Sequence, residues 1–220
     1  GVSLTVHALV GQSGPWSAPA TWGGIVPGTG SNVVIRPGQT VTLDINTPVL
    51  NSLTIEGTLT VPGAQTLTLS GNFTNYGTFN PGSGTVVLSG VPENWLGQGD
   101  TVLVGNTPTA LTFYRLEVDK SAPWTTVTAT STLTVIGQLM IADGQLISAS
   151  HYRDIEIGTN GTLALTGGIT VSGHFTNSGT LLPAVHGVTF NGGTAQNLTL
   201  HVPTTFAGLT VASNTTLIET

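Results

Sequence analysis

The sequence predicts an all-β fold, a β-solenoid of irregular coils, with a β-sandwich as the alternative. Three observations predict it. Apolar residues alternate with period two in run after run, Gly, Asn or Pro ends each run, and long phrases recur at unequal separations.

The chain opens on "GVSLTVHALVG" (1–11), which puts Val2, Leu4, Val6, Ala8 and Val10 on one face of a strand. The alternation continues in "NVVIRPGQTVTLDI" (32–45), "SLTIEGTLTV" (52–61), "QTLTLSGNF" (65–73) and "GTVVLSG" (84–90). It resumes in "STLTVIGQLMI" (131–141), "RDIEIGTNGTLALTG" (153–167) and "GLTVASNTTLI" (208–218). In a stacked-coil fold one set of side chains faces a continuous interior, and Leu53, Ile55, Phe73, Leu133, Val135, Ile155, Ile157, Leu163, Leu165 and Phe175 are expected there.

Recurrence favours the solenoid over the sandwich. "GNFTNYGT" (71–78) returns as "GHFTNSGT" (173–180), "TFYRLEV" (112–118) as "TFAGLTV" (205–211), and "SLTIEGTL" (52–59) as "TLTVIGQL" (132–139). The separations differ, which suits coils that push insertions outward as loops. In "FTNYGT" the Phe is expected to point inward, Asn to turn the chain and Gly to let the next strand leave at a sharp angle, so the phrase reads as a corner. Asn or Thr side chains stacked on successive coils would form hydrogen-bonded ladders. Residues 1–15 are read as an N-terminal cap or assembly strand. Residues 16–220 are read as one continuous solenoid domain with internal repeats near 66–118 and 168–211.

Composition narrows the function classes. Only 6% of the 220 residues are charged, the net charge is −6, and no basic stripe exists, which argues against a nucleic-acid partner. No apolar run is long enough for membrane insertion. Cys is absent, so stability falls to packing and backbone pairing, while secretion stays open. A first residue that is Gly1 rather than Met fits a processed protein or an excised fragment.

Residues 16–59 carry a family likeness. Trp16, "TWGG" (21–24), Pro27, the "NVVI" strand, "PGQTVTLD" and "LTIEGTL" together resemble the opening of the G-eight domain, found in cell-surface and secreted proteins. Downstream, "FTNYGT", "GTVVLSG" and "TFYRLEV" resemble repeat regions of large bacterial surface and secreted proteins. The resemblance implies an extracellular, single-stranded, right-handed parallel β-helix. It implies no activity, since such folds host lyases, adhesins and inert stalks alike.

Few residues offer chemistry. "YRLEVDK" (114–120) sets Arg115, Glu117 and Asp119 opposite Leu116 and Val118, and "RDIEI" (153–157) sets Asp154 and Glu156 opposite Ile155 and Ile157. Carboxylates two residues apart on a strand lie ~7 Å apart, a spacing compatible with a glycosidase pair or with Ca2+, although the solvated face of a strand explains both. Asp44 in "VTLDI" reads as a capping residue opposite Leu43 and Ile45, and in the resembling family it belongs to the motif; Asp143 reads as a turn residue beside Gly144. His7, His151, His174, His186 and His201 show no metal-ligand spacing. No GxSxG elbow or Walker loop occurs. Trp16 and Trp22 are expected to cap the first coil. Trp95 and Trp124, in proline-containing loops, are the rings that would stack on a sugar.

The expected function is therefore a non-catalytic structural or adhesive module, extracellular or on the cell surface, that requires no cofactor while leaving Ca2+ open. Its expected partner is itself, as a head-to-tail oligomer or filament with Val2, Leu4, Val6, Ala8 and Val10 as the assembly strand. A polysaccharide is the second partner considered, bound by a carbohydrate module or turned over by a lyase or hydrolase on the same fold.

Overall fold

The computed structural model describes residues 9–90, 100–105 and 111–220. Every strand pairing among them is parallel. This settles the choice of fold, because sandwiches are built from antiparallel hairpins and Greek keys. The chain is a β-solenoid of about 9 turns with almost no helix. No helix among the described residues is long and apolar enough to cross a membrane.

Each full turn lays down strands on three faces in the same order. The first face stacks Leu9–Gly11, Asn32–Ile35, Ser52–Ile55, Phe73–Asn75, Thr101–Gly105 and Thr126–Ala129, then residues 145–147, 162–164 and Thr180–Leu182. The second stacks Gly14–Pro15, Thr40–Thr42, Thr58–Thr60 and Thr78–Asn80 as one ladder. It resumes at 111–113 and runs through 133–135, 150–152, Ile169–Val171, Gly187–Phe190 and Gly208–Val211. Where one ladder gives way to the other, the Phe79 and Phe113 rings lie 5.7 Å apart. The third face stacks Val49–Leu50, Thr66–Leu69, Thr85–Ser89, 115–119, 138–141, 154–157, Phe175–Asn177, Ala195–Leu200 and Thr216–Glu219.

Turn length varies as the unequal repeats required. Ser52 hydrogen-bonds Asn32 across 20 residues, Val102 bonds Asn72 across 30, and Leu133 bonds Ser150 across only 17. In the shortest turns the chain dispenses with loops. Leu133–Ser148 and Ser150–Leu165 each run 16 residues through all three faces, bending at register shifts.

The core is the one expected. All ten residues named from the alternation are buried, with Leu165 the most exposed at 5%. Both phrase phenylalanines sit in ring clusters: Phe73 meets Phe79 and Phe113 at 5.2 and 5.3 Å, and Phe175 meets Phe190 and Phe206 at 6.3 and 6.0 Å. Ile45 departs from the pattern. The strand stops at Thr42, and Leu43 still packs inward while Ile45 is exposed.

The corners work differently from the sequence expectation. Gly77 and Gly179 follow their Asn by two residues, and neither has a positive φ. What requires glycine is the preceding coil: a Cβ at Gly77 would lie 2.1 Å from the Gly57 carbonyl oxygen, and one at Gly179 would lie 2.1 Å from that of Gly158. Gly57 repeats the arrangement 2.3 Å from the Arg36 oxygen. These are sites of close backbone approach rather than sharp dihedral turns. Asn contacts between coils form too: Asn51 Nδ2 donates to Asn32 Oδ1 at 2.7 Å, Asn80 Nδ2 to Thr60 Oγ1 at 3.3 Å, and at the second corner Asn177 Nδ2 donates to Thr204 Oγ1 at 2.8 Å while its Oδ1 accepts the Gly179 N–H at 3.0 Å, turning the chain as expected.

The echoed phrases do not occupy equivalent places. Phe73 lies on the first face, paired with Leu53, whereas Phe175 lies on the third, paired with Ile155. The strands that follow keep the same displacement, Thr78–Asn80 on the second face against Thr180–Leu182 on the first. The repeated unit is thus a strand, a corner and a strand, not a whole turn.

Candidate functional site

A groove of about 630 Å3 runs along the edge between the second and third faces. Ala64, Ser83, Tyr114, Gln138, Asp154 and His174, from six successive turns, contribute to its lining. A row of side chains crosses its floor. Arg115 Nε donates to Gln138 Oε1 at 3.1 Å, its Nη2 donates to the same oxygen, and Gln138 Nε2 donates to Glu156 Oε2 at 2.9 Å. Asp154 accepts the His174 backbone N–H at 2.7 Å and lies 3.8 Å from Arg153 Nε. Gly173 makes room for that carboxylate, since a Cβ there would stand 2.0 Å from Asp154 Oδ1. Tyr114 is exposed beside Gly137, where a Cβ would meet the Tyr114 carbonyl oxygen at 2.5 Å and its ring at 3.4 Å.

The acids named from the sequence are partly brought together. Glu117 and Glu156 share the third face but are separated by Met140, whereas Asp119 is the direct register partner of Asp143. Asp143 in turn accepts Asn160 Nδ2 at 3.5 Å. Among the described residues no three His, Asp or Glu side chains converge as a metal site. Trp124 stands 74% exposed outside the groove. Trp95, with Val2, Leu4, Val6 and Ala8, lies outside the described residues. Val10 belongs to the strand Leu9–Gly11 and is in register with Val34 of the same chain.

Lys120 is the residue the sequence reading passed over. Its side chain is fully buried, and Nζ donates to the carbonyls of Ser70 and Ser89, each at 3.0 Å, and to Thr101 Oγ1 at 2.9 Å. It ties three turns together. A signal was available, because the inward positions Leu116 and Val118 continue by period two to Lys120. Burial pushes its ammonium down to about 8, with Asp100 pulling the other way. Above that pH the folded protein releases a proton that the unfolded chain holds to about 10.4, so stability rises with pH across this window. Tyr152, pushed up to about 12 by burial, acts in the opposite sense only above about pH 10. The Tm difference between wild type and Lys120→Met is therefore expected to grow in favour of wild type from pH 7.5 to 9.5. A difference independent of pH would show that Lys120 does not titrate there.

At the N-terminal end two tryptophans close the first coil. Trp16 is fully buried, its ring 4.7 Å from that of Trp22 and edge-on to it, and Trp22 Nε1 donates to the Trp16 carbonyl at 2.7 Å. The short 3-10 turn Pro19–Trp22 ends at Gly23 with φ +72, a left-handed position suited to glycine. Ser17 donates its N–H and its hydroxyl to Asp44, at 2.9 and 2.5 Å, fastening this corner to the next coil. The G8 domain model matches residues 21–86. Among curated proteins and solved structures none matches the chain. The matched G8 segment runs from the last two residues of the 3-10 turn into the strand Thr85–Ser89 of the third turn that follows, and the repeats continue beyond it in the same stack.

In this segment Asp44 is a fastening residue. The Ser17 hydroxyl holds its carboxyl below the usual value, with burial pulling the other way and the Ser17 N–H adding to the fall. A depressed carboxyl stabilises above its unfolded pKa and stops doing so as it protonates. Asp44→Asn is expected to lower Tm at pH 6, with the deficit shrinking as pH falls below about 4. A deficit that persists unchanged at pH 2.5 would assign the loss to packing instead.

Proposed function

We propose that the chain is a non-catalytic structural or adhesive β-solenoid, extracellular or on the cell surface, that stacks axially with further coils in a stalk or filament. The observation that supports this is the stack itself: about 9 turns of parallel strands pair coil on coil around one apolar interior, and an architecture in which each coil contacts only its neighbours extends by the same pairing. Leu209 and Val211, in register with the buried Val188 and Phe190, are 42% and 40% exposed and are the residues at which axial stacking is tested. A contact between the two different ends of neighbouring copies is heterologous, so it propagates.

The surface placement rests on the G8 match, since the resembling domains occur in cell-surface and secreted proteins. The non-catalytic reading is supported by the scatter of the acids, no three of which converge among the described residues.

Light scattering and electron microscopy of the purified chain test the reading. Rods that lengthen with protein concentration, and that Leu209→Lys with Val211→Lys abolishes, are expected. Monomers at every concentration would confine the proposal to a segment of a longer stalk. Release of unsaturated or reducing-end products from polysaccharides would overturn the non-catalytic part.

A further inference from the structure

We propose that the groove between the second and third faces binds a neutral glycan chain laid along the solenoid axis. This rests on the adhesive part of the function proposed above and gives it a site and a ligand class.

Length is the first argument. The groove draws on six successive turns, and neighbouring strands are ~4.8 Å apart, so it extends for about 24 Å along the axis. The elongated shape suits several linked sugars laid end to end, and a volume of about 630 Å3 is large enough to hold them.

Charge decides the kind of sugar. Two guanidinium groups, Arg115 and Arg153, face two carboxylates, Asp154 and Glu156, along the same lining. Arg153 lies against Asp154 and Arg115 is linked through Gln138 to Glu156, so the two charges of each sign balance along the lining and leave no net cationic patch for a polyanion. The chain carries a net charge of −6, which further opposes an acidic polysaccharide.

The lining then matches a polyhydroxyl ligand. Gln138 is fixed from both sides, by Arg115 on its oxygen and Glu156 on its nitrogen. Its second amide hydrogen and the remaining carboxylate lone pairs of Glu156 therefore point in set directions, and a sugar hydroxyl can both donate and accept. Tyr114 supplies a ring face for the C–H side of a pyranose, with Gly137 keeping the neighbouring floor free of a side chain. A peptide would find no strand edge here, because the strands beneath the groove are paired with both neighbouring turns.

Affinity electrophoresis of the whole chain tests this, in gels containing dextran, laminarin, galactomannan or xyloglucan, with polygalacturonate and alginate as anionic counterparts. Retardation by at least one neutral polysaccharide is expected, insensitive to added salt. Tyr114→Ala and Gln138→Ala should each weaken it about tenfold while leaving Tm near wild type, and Trp124→Ala should leave it unchanged. No retardation by any neutral polysaccharide would overturn the proposal. So would retardation by the anionic gels alone, or loss of binding in Trp124→Ala with Tyr114→Ala unaffected. Light scattering of the same samples reports axial stacking separately, so a failure of sugar binding and a failure of assembly are told apart.

Discussion

Phe73→Ala is expected to lower the unfolding free energy by about 3–5 kcal/mol, the range for deleting a buried phenylalanine ring. Phe73 is fully buried between the strands of Leu53 and Leu103, and its ring meets Phe79 and Phe113 edge-on. Truncation removes the apolar contact and both aromatic pairs at once. The parallel strands on either side are held by their own ladders and cannot close the gap, so most of the cavity persists. Urea unfolding of wild type and variant measures the difference. A loss below about 1 kcal/mol would mean that the neighbouring rings refill the space. Phe175→Ala should cost less, because Phe206 in its cluster is only partly buried.

Gly77→Ala is expected to cost about 3 kcal/mol, although alanine adds only one carbon. That carbon would lie 2.1 Å from the Gly57 oxygen and 2.7 Å from the Glu56 carbonyl carbon, both backbone atoms. The Gly57 oxygen already accepts the Thr78 N–H at 2.8 Å, so relieving the clash pulls apart a bond that joins the two coils. Gly28→Ala is the control, with nothing within 4 Å of its added carbon, and should change stability by less than about 0.5 kcal/mol. Equal effects at Gly77 and Gly28 would refute the close-approach account of the corner.

Much of this architecture was legible because a solenoid writes its interior locally. Period-two alternation marks Leu53 and Ile55, or Leu163 and Leu165, as inward without knowledge of their neighbours. Trp16, Trp22 and Asp44 were legible for another reason, since all three fall within the family likeness of residues 16–59, but the bond from Ser17 to Asp44, across 27 residues and into the next coil, was not. Neighbours across coils were not. Lys120 reaches Ser70 across 50 residues and Ser89 across 31, and Arg115 reaches Gln138 across 23. With turn lengths that vary from 17 to 30 residues, no fixed offset in the sequence brings those partners together. The groove is a property of the stacking, and alternation along a single strand carries no record of it.

The displacement of the echoed phrases from one face to another has a geometric consequence. Inserting or deleting one strand–corner–strand unit would not simply lengthen or shorten the rod. It would change the phase of everything downstream, turning each later surface about the long axis by a fraction of a revolution. The number of such units therefore acts as an angular setting. Two solenoids with the same strands but different unit counts would present their grooves toward different sides without a change to any residue within the groove.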